Sequence, residues 1–209
     1  MADAAESIDL ALVLAVDCSS SVDKGDFKLQ LDGIAAALRH PALLRAVQDG
    51  ARRQIALALL LWSNWQSQQV ALPWRLIADA ADLEATARTI ETTGRDIPAG
   101  GTGLAAALDY ATALQSVLQA WPARRKIDAS GDGMDNEGGD AAAARDRAIA
   151  RGITVNGLPI LNGSALLLDY YRDQVIGGPG AFLEPTDTVM TFRDAMLRKL
   201  LREVSEVVS

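Results

Sequence analysis

Ile8-Asp9-Leu10-Ala11-Leu12-Val13-Leu14-Ala15-Val16-Asp17-Cys18-Ser19-Ser20-Ser21 is the stretch on which the fold turns. From Ile8 to Val16 the chain is apolar on both faces, apart from Asp9, as a strand buried inside a parallel sheet requires. The run stops at Asp17, and the spacing Asp-x-Ser-x-Ser begins there. A strand of this kind delivers the chain to the edge of the sheet, where it turns sharply. Alternate positions in that turn, Asp17, Ser19 and Ser21, aim their oxygens at one point. One carboxylate and two hydroxyls are hard donors, suited to Mg²⁺ or Mn²⁺ rather than to zinc or copper. The alternative is a serine-rich turn that caps the following helix through hydroxyl-to-amide bonds.

Working outward, strand-like and helix-like stretches alternate almost throughout, which predicts an α/β fold. The expected form is a doubly wound, mostly parallel sheet with helices on both faces. Six strands are expected, at 8–16, 54–62, 70–74, 127–130, 153–158 and, on an edge, 181–183. The polar turn 63–69 is too short for a crossover, so the second and third strands form an antiparallel pair. Helices are expected at 24–39, stopped by His40-Pro41, at 79–92, at 104–119, and at 141–151, ended by Gly152. A short helix at 165–173 and a C-terminal one at 187–204 complete the pattern. No repeat, low-complexity tract or linker divides the chain, so a single domain is expected over 1–209, with its core at about 8–204. In such sheets ligands bind beyond the carboxyl ends of the strands, where the strand order reverses. With the first and fourth strands as neighbours, the loops after them meet at that point.

The 209 residues suffice for one α/β domain with a large core, and a 49% apolar share with 22% charged residues fits a globular protein. A formal net charge of −7 speaks against a nucleic-acid partner, which calls for a basic face. The cluster Arg124-Arg125-Lys126 is expected in an exposed loop at the far end of the sheet. No apolar run is long enough to span a bilayer; the longest, 55–62, is strand-sized. Met1-Ala2-Asp3-Ala4-Ala5 has neither a basic start nor an apolar stretch, so it does not read as a signal peptide. The lone cysteine, Cys18, allows no internal disulfide. Its soft thiol suits a small buried apolar role better than a place among hard donors.

Two further segments stand at a strand end or helix start. Pro98-Ala99-Gly100-Gly101-Thr102-Gly103 opens the alanine-rich stretch 104–119. In Lys126-Ile127-Asp128-Ala129-Ser130-Gly131-Asp132-Gly133 a short strand runs into a glycine-flanked aspartate. Together with Asp17-x-Ser19-x-Ser21, these loops resemble the metal-ion-dependent adhesion site of von Willebrand factor type A domains. Matched one position at a time, the resemblance implies Asp17, Ser19, Ser21, Thr102 and Asp132 as ligands of Mg²⁺, with Mn²⁺ or Ca²⁺ as the other candidate ions. It extends over nearly the whole chain. Val16-Asp17 through Val22-Asp23, Leu72-Pro73-Trp74, Ser130 to Gly133, Gly152 to Gly157 and Ile176 to Gly180 are similar to one bacterial subgroup, domain of unknown function 1194, which carries no assigned activity. Cys18 departs from that pattern by replacing an aliphatic residue, and no second hydroxyl follows Thr102. The resemblance implies metal-dependent capture of a protein partner through an acidic side chain, without turnover. It also implies a periplasmic or secreted setting, with the leader absent from this chain.

Rival chemistries are less well supported by the residues. Asp128, Ser130, Asp132 and Gly133 fit the opening of an EF-hand loop, but its twelfth position is Gly139, not glutamate, and a strand precedes it. Gly100 to Gly103 precedes a helix and could cradle phosphate, yet the Walker lysine is missing. Gly-x-Ser-x-Gly is absent, and the only histidine, His40, reads as a helix C-terminal cap. A metal-dependent phosphohydrolase is the enzyme alternative, and a scaffold with a purely structural metal is the third reading. The hairpin Ser63-Asn64-Trp65-Gln66 should emerge on the metal side, where Trp65 either walls the ligand surface or folds onto its own hairpin. Asp135, with Asn136, Glu137 and Asp140, is expected in a solvated acidic loop beside that surface, with a second, weaker calcium position as the alternative reading of that loop. Trp62, Trp74 and Trp121 are expected in the core or at its rim, and Gly177-Gly178-Pro179-Gly180 in a structural turn.

Overall fold

Strand β1 (Glu6–Asp17) runs through the middle of the sheet, and every residue of it from Ile8 onward is buried. The computed structural model describes residues 6–205, so Met1 to Ala5, read above for an export signal, lie outside the described residues. On one side β1 pairs in parallel with β2 (Ile55–Trp62), and on the other with β4 (Ala120–Gly131). β2 pairs antiparallel with β3 (Gln68–Ile77), and β4 pairs in parallel with β5 (Ile153–Pro159). The order is β3-β2-β1-β4-β5. This is the expected doubly wound α/β sheet with its one antiparallel pair.

The two-residue period of β1 divides the core. Leu10, Leu12, Leu14 and Val16 pack under α1 (Lys24–Leu38), α2 (Pro41–Gln48), α3 (Ala80–Glu91) and α7 (Phe192–Ser205). Val13 and Ala15 face α4 (Leu104–Gln115), α5 (Ala141–Ile149) and α6 (Ala165–Tyr170). Full burial of each large apolar side chain contributes about 1.5–3 kcal/mol, so both faces of the central strand hold the helices in place. Asp23, Asp79 and Asp140 start α1, α3 and α5 by accepting a backbone N–H of the first turn.

Several expectations need correction. The sheet has five strands, not six. Segment 181–183 meets β5 through one isolated bridge, Leu183 with Gly157, and the Phe182 N–H on Asn156 Oδ1, and forms no ladder. Positive φ at Gly178 and Gly180 turns the chain just before it, and Pro185 has no N–H with which to extend a ladder. α4 ends at Gln115, and β4 starts earlier than expected, with Ala120 opposite Glu6. Arg124, Arg125 and Lys126 therefore lie within a strand rather than in a loop. Lys126 is buried, and Arg124 donates to the Glu203 and Val204 carbonyls at 3.0 Å each. Trp121 is 68% exposed rather than packed, whereas Trp62 is buried and Trp74 donates its Nε1–H to Leu114 O at 3.0 Å. His40 caps the start of α2: its Nδ1 accepts the Ala42 N–H at 3.2 Å, and Pro41 occupies the first helical position.

Candidate metal centre

The register of the sheet brings the predicted loops to one rim. Val16 on β1 lies opposite Ser130 on β4, so Asp17 and Asp132 leave neighbouring strands at the point where the strand order reverses. Asp17 Oδ1 accepts the Ser19 N–H at 2.7 Å, which tightens the turn after β1. The Ser19 and Ser21 hydroxyls are 3.1 Å apart, and Ser21 donates to Asp132 Oδ1 at 2.6 Å, across 111 positions of sequence. Thr102 is buried just before α4, and a Cβ at Gly133 would lie 3.0 Å from its hydroxyl. Ser19, Ser21 and Asp132 are thus joined by hydrogen bonds, Asp17 is tied to the same turn, and Thr102 stands against the residue after Asp132.

Backbone bonds lock these loops to one another. Ser20 N–H donates to Gly100 O at 2.9 Å. Thr102 N–H donates to Asn136 Oδ1 at 2.8 Å, and Asn136 N–H returns a bond to Thr102 O at 3.0 Å. The glycines of the 98–103 loop are there for closeness. A Cβ at Gly103 would meet Trp65 N at 2.6 Å, and one at Gly101 would meet Glu137 Oε1 at 1.8 Å. Arg95 holds the first loop from behind, donating to the carbonyls of Cys18, Ser19 (3.0 Å) and Val22 (2.8 Å).

Asp17 is the electrostatic centre of the rim. It is fully buried, and its Oδ2 has no hydrogen-bond partner among the described residues. Burial pushes its pKa up to about 7; the bonds from Ser19 oppose this, and the nearby Asp132 charge adds to it. A buried carboxylate with a free oxygen is costly unless a cation or donor meets it. Two carboxylates and three hydroxyls form an all-oxygen set, which fits a hard divalent cation. Among the described residues no three His, Cys, Asp or Glu side chains cluster as a softer or more acidic metal site would. Cys18 is buried, donates to Trp62 O at 3.2 Å, and has its thiol pushed up to about 12, first by burial and then by the Asp17 charge.

The other residues singled out in the sequence fall as follows. Asp128 leaves the EF-hand reading altogether, because it is buried on the opposite face of β4 with Lys199 at 3.2 Å. Asp135 is not free to face a ligand. Its Oδ2 accepts the Ala105 N–H at the start of α4, and its Oδ1 accepts those of Glu137 and Gly139. Trp65, in the β2–β3 turn, is 58% exposed beside the glycine loop. Sequence reading missed Arg95, and it placed Asn136 in the loop beside the site without its bonds to Thr102. Arg95 sits in an unremarkable polar stretch, Thr93-Gly94-Arg95-Asp96, and gives no local signal.

The family described as protein of unknown function DUF1194 matches residues 7–208. No curated protein matches the chain. Among solved structures, the chain is similar to proximal thread matrix protein 1 from the mussel byssus, with a zinc-occupied MIDAS motif. Identity is 14% and the TM-score 0.65, over 97% of this chain and 50% of that one. The chain thus spans about half the length of the mussel protein. It is also similar to the vWF domain of the type V pili tip protein Mfa5 from Porphyromonas gingivalis, at 13% identity and TM-score 0.65, over 96% and 98% of the two chains. A von Willebrand factor type A structure from Catenulispora acidiphila matches at 17% identity and TM-score 0.60, over 96% and 44%. These likenesses are of fold, and the fold is that of a type A domain. No helix among the described residues is long and apolar enough to cross a membrane.

Proposed function

The chain belongs to the DUF1194 family and has the von Willebrand factor type A fold, and from that premise we propose that it is a metal-ion-dependent binding domain. In this reading Asp17, Ser19, Ser21, Thr102 and Asp132 hold Mg²⁺, for which Mn²⁺ substitutes and Ca²⁺ is the remaining candidate. When bound, the ion supplies a hard Lewis-acidic position that accepts a carboxylate oxygen. The partner is accordingly a protein that presents an acidic side chain. The observation that carries the proposal is the unpartnered Oδ2 of fully buried Asp17, next to the Ser19–Ser21–Asp132 hydrogen-bond chain. Arg95 fixes the three carbonyls of the first loop, so the serines are held before any ligand arrives. Trp65, exposed beside the glycine loop, offers an apolar edge to the same partner. Fold likeness to a pili tip protein and a thread matrix protein supports a binding role. The periplasmic or secreted setting follows the family resemblance.

Isothermal titration with MgCl₂ and MnCl₂ tests the proposal. The protein is expected to bind one ion, Asp17→Ala and Asp132→Ala to lose it, and none of the three to turn over a generic phosphoester. Absence of affinity for both ions in the unaltered protein would overturn the proposal. Metal-dependent phosphoester turnover that needs Asp17 would replace it with the hydrolase reading.

A further inference from the structure

Directly behind Asp17, a glycine lets two buried oxygens close in on the same point of the sheet. Ile127, Ala129 and Gly131 occupy alternate positions of β4, and the first two pack on the face covered by α4 and α5. The side chains shrink toward the rim until, at Gly131, there is none. A Cβ there would lie 2.8 Å from Asp17 Oδ2 and 3.0 Å from Tyr171 Oη. Both side chains are fully buried, and neither of these oxygens has a hydrogen-bond partner among the described residues.

Tyr171 reaches this point through an irregular turn. After α6 the chain forms a single π-turn, Tyr171–Val175, closed by the Ile176 N–H on Tyr171 O at 3.0 Å. Such turns add a residue and re-aim the side chains around them. The ring packs in the apolar cluster with Val13, Ala15 and Leu167. Phenylalanine would fill that cluster equally well without burying an unpaired hydroxyl, so packing alone does not account for tyrosine here.

We propose that Tyr171 is the outer-sphere positioning residue of the metal centre. In the metal-loaded protein its hydroxyl donates to Asp17 Oδ2, after a small approach or through one water, and holds the carboxylate in its ligating orientation. A phenol suits this task because it donates while remaining neutral, whereas a lysine or arginine would compete with the cation for the carboxylate. The inference rests on the metal reading of Asp17 given above.

Mn²⁺ titration of the unaltered protein and of Tyr171→Phe, with thermal melts of both in EDTA, tests it. Removing an outer partner of this kind is expected to weaken Mn²⁺ binding about ten-fold or more. The melting temperature in EDTA should stay equal or rise, since a buried unpaired hydroxyl has gone. Equal affinity in the two proteins would overturn the role of Tyr171 and leave the metal reading intact. No binding by the unaltered protein would overturn both. A second measurement needs no change at position 171. In protein labelled with 3-fluorotyrosine, with signals assigned through Tyr110→Phe and Tyr170→Phe, the Tyr171 resonance should shift at saturating Mg²⁺ while that of exposed Tyr110 stays. An unmoved Tyr171 resonance would also overturn the assignment.

Discussion

Asp17 is fully buried, and that burial raises the pKa of its carboxyl to about 7. The folded value is above that of the unfolded chain, so burying the protonated group favours folding fully below about 3.8, and that contribution is lost as pH rises through about 7. The metal-free protein is therefore expected to melt at a lower temperature at pH 8 than at pH 6 on account of this residue. Asp17→Asn should flatten that dependence and melt several degrees higher at pH 8 in EDTA, since 1 kcal/mol moves Tm by about 2–4 °C at this chain length. Cation binding, which needs the ionised form, should strengthen as pH rises through 7. Calorimetric melts in EDTA at pH 6 and 8 check the first expectation; an Asp17→Asn protein less stable at pH 8 than its parent would contradict it. That Asp17, Ser19 and Ser21 share one turn was legible in the sequence because their spacing is local. The partnership of Asp17 with Tyr171 was not, because only the π-turn after α6 and the missing side chain at Gly131 create it.

The elements that shape the rim are short loops in backbone contact, and their glycines differ in what they tolerate. A Cβ at Gly101 would strike only side-chain ends, Glu137, which can swing away, and Asn136 Oδ1 at 2.7 Å, which would have to loosen its bond from Thr102. At Gly103 it would strike the backbone of Asn64 and Trp65 at 2.7 and 2.6 Å, and the β2–β3 turn would have to move. Gly103→Ala is thus expected to cost about 1–3 kcal/mol in urea unfolding, and Gly101→Ala clearly less; the reverse ranking would contradict the contact picture. The loops were readable as glycine-rich, but not what they touch, since Gly103 meets a turn far from it in sequence. Where elements were misread, the reason is local. Pro41 was taken as a stop for α1, although it also starts α2. Pro122 and three cationic residues hid the first half of β4, whose strand character comes from pairing with β1 rather than from its own composition.

Across the whole molecule, the face of the sheet away from Tyr171 is fastened by buried charge. Lys199 of α7 lies 3.2 Å from Asp128 on β4 and 3.0 Å from Glu203, and Lys126 lies 3.2 Å from Glu203. Asn156 on β5 donates to Glu203 at 2.8 Å. Burial raises Asp128 to about 6 against the pull of Lys199, while Glu203 ends below its usual value because Lys199 and Lys126 outweigh its burial. Lys199→Met leaves two buried carboxylates short of a cation and is expected to cost about 3–5 kcal/mol, or on the order of 10 °C in Tm. A melt within 2 °C of the parent, roughly the shift 1 kcal/mol gives, would contradict that role. The layer order and the meeting of the loops after β1 and β4 at one rim were legible from strand and helix alternation. This network was not, because a lysine and a glutamate on a C-terminal helix read as solvated until the register of β4 is known.

The most direct measurement is an anomalous difference map from a crystal soaked in MnCl₂. It should show one strong peak at the rim between β1 and β4, within ligand or single-water reach of Asp17, Ser19, Ser21, Thr102 and Asp132. A map with no peak there, or with manganese bound only elsewhere on the acidic surface, would contradict the metal centre on which the proposed function stands.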